Sequence, residues 1–257
     1  MGLGALLVMW AVGGTAMAAP LPADRAMVPF AVSETGLRPA ARIVLLGPPG
    51  AGKATQAARL AKSNGVPAIS TGQLLRDAAA VVTMQGTEIK AILERGDVVP
   101  DDIVIALLKA RLKQPDAADG WILHGFPRTL LQALALDHML VQVKQAVSLV
   151  VSLQVPEKVM VERLVHRQVC RTCSRTYNTE TNPPAKPGIC DDDRGELIHR
   201  DEDDEKNATQ RIEDQLRLNE EMKAYYGSRD MYLGVDGAQS IDSIQRAIES
   251  ALQQRRG

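Results

Sequence analysis

Aromatic side chains are scarce in this chain. Two Trp, four Tyr and two Phe make up only 3% of 257 residues, although 45% are hydrophobic. Any core must therefore rest mainly on aliphatic side chains, and the length allows one sizeable core with insertions. A surplus of charge of either sign is also missing. The 30 Lys and Arg against 31 Asp and Glu leave a formal net charge of −1. That balance gives no electrostatic ground for nonspecific nucleic-acid binding, so nucleic acid is not expected as a partner. No internal repeat is present, and the three cysteines fall in one short stretch.

A long uninterrupted apolar run is lacking too. Residues 2–19 are small and apolar, but they are glycine-interrupted and short for a membrane-spanning helix. Ala16-Met17-Ala18 before Ala19-Pro20 is similar to a signal-peptidase site, yet no basic residue precedes Arg25. Three readings stay open: an export signal, an uncleaved membrane-proximal segment, or an upstream-extended start. Only the second would bring a membrane as partner. Residues 20–41, with Pro20, Pro22, Pro29 and Pro39, read as a linker. Residues 1–41 are thus expected to lie outside the catalytic fold.

From residue 42 onward, β-like runs alternate with helical patterns. Strands are predicted at 42–46, 68–70, 121–123, 147–153 and 231–235, and helices at 53–62, 158–167 and 207–226. Such alternation predicts an α/β fold with a parallel sheet flanked by helices, whose ligands sit beyond the carboxyl ends of the strands. Between 167 and 207 a stretch rich in Pro, Asp and Cys breaks the rhythm and reads as a small inserted domain.

The first predicted strand runs into Gly47-Pro48-Pro49-Gly50-Ala51-Gly52-Lys53-Ala54-Thr55. Glycines let backbone N–H groups curl around phosphate oxygens, the helix N-terminus favours negative charge, and Lys53 can reach the outer phosphates. A general phosphate-binding loop has Ser or Thr directly after the lysine. Here Ala54 stands there and the hydroxyl follows at Thr55.

Two more motifs follow strands: Ser70-Thr71-Gly72-Gln73-Leu74-Leu75-Arg76 and His124-Gly125-Phe126-Pro127-Arg128-Thr129. Together with the glycine loop they resemble adenylate kinase of the long bacterial form, over nearly everything from residue 42 to the C-terminal helix. The resemblance implies a P-loop NTPase-type core at 42–70, 101–165 and 204–257, an AMP-binding helical segment at 71–100 and a lid at 166–203. It implies reversible transfer of a phosphoryl group from ATP to AMP, giving two ADP, with Mg²⁺, by a chain expected to act as a monomer. Gly50, Ala51, Gly52, Lys53, Ala54, Thr55, Arg163 and Gly234 are assigned by it to ATP. Thr71, Arg76, Val99, Gly125, Arg128, Gln132, Arg200 and Arg211 are assigned to AMP, with Arg76 and Arg128 on its phosphate and Gln132 on the adenine edge. Lys53, Arg128, Arg167, Arg200 and Arg211 are the expected catalytic residues. Arginine suits this work because its planar fork grips phosphate oxygens in pairs. Arg163 and Arg167, four apart in a predicted helix, are expected on one face.

Cys170-Arg171-Thr172-Cys173 and Cys190-Asp191-Asp192-Asp193 form a pair of knuckles that could give tetrahedral zinc four ligands. The same pattern marks zinc-bearing lids of the family, with Cys170, Cys173, Cys190 and Asp193 as ligands; Asp191 or Asp192 remains open as the fourth. Free thiols, or one disulfide with a cysteine left over, are the other readings. Reduced thiols and the use of ATP favour the cytoplasm, with export as the alternative.

Three positions depart from the family pattern. His124 stands where an aspartate helps hold hydrated Mg²⁺, Gln73 replaces another aspartate, and Ala54 replaces a glycine, with a methyl expected to crowd the loop. In the lid, Arg200-Asp201-Glu202-Asp203 carries a glutamate at the first of two family aspartates. Metal use or rate is expected to fall. The alternatives are a non-catalytic nucleotide-binding or regulatory homologue, and a kinase for UMP or CMP.

Overall fold

In the computed structural model, residues 41–95 and 98–255 are described. The signal-like reading of the N-terminus falls on residues 1–40, outside them. Along the chain run β1 (Ala41–Leu46), α1 (Lys53–Asn64), β2 (Ala68–Ser70), α2 (Thr71–Ala80), α3 (Met84–Glu94) and α4 (Asp101–Leu112). Next come β3 (Gly120–His124), α5 (Leu130–Gln142), β4 (Leu149–Gln154) and α6 (Glu157–Val165). The remainder is β5 (Arg167–Cys170), β6 (Thr176–Asn178), β7 (Leu197–Ile198), α7 (Glu205–Gly227), β8 (Tyr232–Asp236) and α8 (Ile241–Gln254).

Five strands make a parallel sheet in the order β2-β3-β1-β4-β8. Side chains alternate across a strand, and β1 shows the consequence. Ile43 and Leu45 join one buried cluster with Leu60, Met160, Leu164, Ile212 and Ile248, while Val44 and Leu46 join another with Ile103, Leu136, Met222 and Tyr226. Because helices cover both faces, β1 reads as a continuous apolar run rather than an alternating one. Aliphatics dominate both clusters, and the few aromatics go where volume is needed: Trp121, Phe126, Tyr177 and Tyr226 are fully buried.

Most element boundaries fall within two residues of the sequence expectation, and two of the differences bear on the site's surroundings. Ala41 is no linker residue: it is buried as the first residue of β1, paired with Gly120. More consequentially, the helix predicted to reach Arg167 stops at Val165, and Arg167 opens β5. Antiparallel pairing with β6 and β7 claims the backbone there, with Arg167 opposite Asn178 and Val169 opposite both Thr176 and Ile198. Arg163 and Arg167 therefore do not share a helix face.

The stretch between α6 and α7 has its own three-stranded sheet, β6-β5-β7, with Cys170, Tyr177, Cys190 and Leu197 as its small core. The helices α2 and α3 are separately capped, by the Ser70 hydroxyl on the Gln73 N–H and the Thr83 hydroxyl on the Gly86 N–H.

Candidate active site

At the carboxyl end of β1 the chain turns through the glycine loop into α1. Gly50 has φ +79°, and a β-carbon there would sit 2.5 Å from the Met160 carbonyl oxygen, so only glycine fits where the loop crosses α6. Lys53 folds back over the loop, its Nζ donating to the carbonyls of Gly47 at 2.6 Å and Pro48 at 2.7 Å. Burial, with Arg128, Arg167 and Arg211 nearby, lowers its pKa to about 7. Ala51 is buried in the loop, while Ala54 and Thr55 are exposed in the first turn of α1. The Ala54 methyl thus does not crowd the loop interior as expected; it stands on helical backbone that any residue adopts.

Arg163 reaches the loop from α6, donating to the Gly50 carbonyl at 3.3 Å and to the Gly237 carbonyl at 3.3 and 3.2 Å. Gly237, which sequence reasoning missed, lies just past β8, where a β-carbon would come 3.4 Å from the Ala51 carbonyl oxygen. Gly234, assigned to ATP instead, is an exposed residue within β8 opposite Ser152. The turn Asp236-Gly237-Ala238, beyond a strand end, was the signal that marks Gly237.

A second group of residues lines the ends of β2 and β3. Thr71 is buried at the start of α2, and a β-carbon on Gly125, with φ +83°, would lie 2.8 Å from its hydroxyl oxygen. Arg128 Nε donates to the Gly125 carbonyl at 3.1 Å. Gln132 is buried with both ends of its carboxamide engaged: Oε1 accepts the Arg128 N–H at 2.8 Å, and Nε2 donates to Asp101 Oδ1 at 2.6 Å. Those bonds orient the Gln132 carboxamide and leave it one N–H and one lone pair. Val99 is buried in the hydrophobic cluster beneath.

From the inserted domain and α7 come the remaining cations. Arg167 meets Asp203 through Nε at 2.7 Å and a terminal nitrogen at 2.5 Å, and Asp203 has no exposed surface. Arg211 touches the same carboxylate at 3.4 Å, and Arg200 and Arg211 each lie 3.5 Å from the Glu202 carboxylate. The glutamate at position 202 thus reaches two arginines. Burial alone would raise its pKa, but Arg211, Arg200, Arg167 and Arg76 hold it below the usual value. The cations also act on one another. Burial lowers the pKa of Arg200 to about 10, helped by Arg76 and Arg167, and burial with Arg211 lowers that of Arg128. Lys53, Arg76, Arg128, Arg167, Arg200 and Arg211 therefore converge on one region, with Glu202 and Asp203 as partial compensation.

His124 ends β3, paired with Leu45 and Ser70. Its pKa falls to about 4, first through burial and then through Lys53 and Arg76, so the imidazole is neutral near pH 7. The carboxamide oxygen of Gln73 accepts from Arg76 at 2.9 and 3.3 Å and from the Ser174 hydroxyl at 2.6 Å. Neither position brings a negative charge. This donor set does not fit a magnesium ion held through protein carboxylates at these places.

In the inserted domain, ligand atoms of Cys170, Cys173, Cys190 and Asp193 all lie within 4.8 Å of one another. The Cys173 and Cys190 sulfurs are 3.6 Å apart, far beyond a disulfide and close to the roughly 3.8 Å edge of a tetrahedron with Zn–S near 2.3 Å. None of the three cysteines is in a disulfide. Of the three adjacent aspartates, Asp191 accepts the Ala185 N–H and Asp192 pairs with Arg175, whereas Asp193 faces the sulfurs. Its carboxyl is held at about 2, chiefly by the Gly195 N–H. A three-sulfur, one-carboxylate set fits zinc.

Known proteins are similar to this chain along most of its length. The sequence model of the family described as Adenylate kinase matches residues 45–231. The adenylate kinase of Archaeoglobus fulgidus is 41% identical over 211 residues, covering 82% of this chain and 97% of its own. That of Thermodesulfovibrio yellowstonii is 42% identical over 214 residues, 83% of this chain and 100% of its own. That of Bacillus subtilis is 37% identical over 210 residues, 82% of this chain and 97% of its own. With the glycine loop, the converging cations and these matches along most of its length, the chain belongs to the adenylate kinase family.

Proposed function

We propose that this chain transfers a phosphoryl group reversibly between ATP and AMP, giving two ADP. The observation that carries the reading is the convergence of Lys53, Arg76, Arg128, Arg167, Arg200 and Arg211 from separate elements onto one region. Such an excess of positive charge is costly when empty and suits two polyphosphates facing each other.

ATP phosphates occupy the glycine loop, where they replace the loop carbonyls as partners of Lys53, with Arg163 fixing the loop from behind. AMP sits against Thr71, Val99, Gly125 and Gln132, its phosphate held by Arg76 and Arg128. Arg167, Arg200 and Arg211 spread the charge of the transferring group. The attacking AMP oxygen is already anionic, so no general base is required. Closure of the inserted domain excludes water, which would otherwise accept the phosphoryl group.

ATP would bring magnesium as part of the substrate, and the ion would supply charge neutralisation to the phosphates. His124 and Gln73 withhold the carboxylates expected there, so the protein's own cations carry more of that task and turnover is slowed. Cys170, Cys173, Cys190 and Asp193 would hold a structural zinc, which would give a small domain the stability its core lacks. Zinc content should fall in Cys173→Ser. Cysteines outside any disulfide and the use of ATP favour the cytoplasm as its compartment, and N-terminal sequencing of the native protein tests this. A mature start near Ala19 would mean export.

An acceptor panel of AMP, UMP and CMP, with ATP and Mg²⁺, tests the assignment. AMP should be preferred; preference for a pyrimidine nucleotide would replace the reading. The neutral His124 also favours a second reading, a nucleotide-binding homologue without turnover. Tight binding of a bisubstrate dinucleotide, two adenosines joined by a polyphosphate, with no ADP formed would select it.

A further inference from the structure

We propose that Gln73 is a positioning residue that couples closure of the inserted domain to the orientation of Arg76; this rests on the phosphotransfer reading above. Gln73 is the third residue of α2, and both ends of its carboxamide are engaged. Nε2 donates to Asp77 Oδ1 at 2.7 Å, which fixes which end of the amide is oxygen, since a carboxylate can only accept. The oxygen then accepts from Arg76 at 2.9 and 3.3 Å and from the Ser174 hydroxyl at 2.6 Å.

Ser174 is 101 residues away in sequence and belongs to the cysteine knuckle, directly after Cys173. Its backbone has φ +62°, and its N–H donates to the Cys170 carbonyl at 3.0 Å, so the knuckle turn itself presents the hydroxyl. One carboxamide oxygen therefore joins the knuckle to the arginine assigned to the AMP phosphate. Arg76 already feels the far side of the site: burial lowers its pKa, Glu202 raises it, and Arg167 lowers it again.

The neutral side chain matters here. A carboxylate at position 73 would pair with Arg76 and compete with phosphate for it, whereas a carboxamide orients the guanidinium and leaves its charge for the ligand. When the inserted domain is closed, Ser174 holds Gln73 and Gln73 holds Arg76. When it opens, the oxygen loses one donor and Arg76 is less constrained.

A double-mutant cycle on the full chain tests this, with KM for AMP, KM for ATP and zinc content as readouts. Ser174→Ala, and Ser174→Gly as a second variant suited to the left-handed backbone, should each raise KM for AMP about two- to tenfold, the share of one hydrogen bond. KM for ATP and zinc content should not change. Gln73→Ala should raise KM for AMP further, and adding Ser174→Ala to it should have no effect. Gln73→Glu keeps the acceptor, so Ser174→Ala should matter again in that background. Additive effects of the two alanine substitutions, an unchanged KM for AMP in both Ser174 variants, or an equal rise in KM for ATP would overturn the proposal. If the wild type forms no ADP, the phosphotransfer reading fails on its own. The same cycle, read as the calorimetric Kd of the bisubstrate dinucleotide, still tests the coupling: non-additivity supports it and additivity overturns it.

Discussion

Arg167 and Asp203 form a two-armed ion pair, at 2.7 and 2.5 Å, in which the carboxylate has no exposed surface and the arginine side chain is 19% exposed. It joins the first strand of the inserted domain to the turn before α7. A buried pair contributes little over apolar packing, but losing one partner strands the other charge. Asp203→Ala should therefore cost about 3–5 kcal/mol of stability, seen as a lower denaturation midpoint in urea. It should also weaken bisubstrate binding, because Arg211 shares the same carboxylate.

Lys53 gives the site a proton signature. Its pKa is lowered to about 7 in the folded protein, from 10.5. The cost of burying its charge is thus fully present below about pH 7 and relieved as pH rises toward 10.5, where the unfolded chain also loses the proton. Triphosphate beside Lys53 restores the charged form. Binding of ATP at pH 8 should take up close to one proton, measured by calorimetry in buffers of different ionisation enthalpy. In Lys53→Met the uptake should vanish.

Gly50 tests the loop itself. Alanine at this position would carry a β-carbon 2.5 Å from the Met160 carbonyl oxygen, on backbone at φ +79°. Gly50→Ala should cost roughly 1–3 kcal/mol from strain and more in ATP affinity, since the loop must shift away from Arg163. Thermal unfolding and ATP titration of the variant check both. Ala54→Gly, on exposed helical backbone, should leave ATP affinity nearly unchanged.

The sequence made the sheet legible because its strands are apolar runs set apart by helical periods, as in residues 42–46 and 121–123. It also exposed the glycine loop and the cysteine knuckles, whose residue types are adjacent in the chain. What stayed hidden depends on contacts between distant segments. Arg167 lay within a good helical pattern, and only its pairing with β6 and β7 draws it into a strand. Gly237 needed the approach of Arg163 and Ala51, and the reach of Glu202 to Arg200 and Arg211 needed a folded turn. The partnership of Gln73 with Ser174 spans 101 residues and has no local signature.

Lys53, Arg76, Arg128, Arg167, Arg200 and Arg211 converge on the site, while His124 and Gln73 bring it no negative charge. The rate of ADP formation from ATP and AMP at saturating Mg²⁺, compared between the wild type and His124→Asp, tests this most directly. ADP should form in the wild type, and the substitution should raise the rate roughly ten- to a hundredfold, the usual weight of a residue supporting a metal. No ADP from either protein, or a wild-type rate that His124→Asp does not improve, would contradict it.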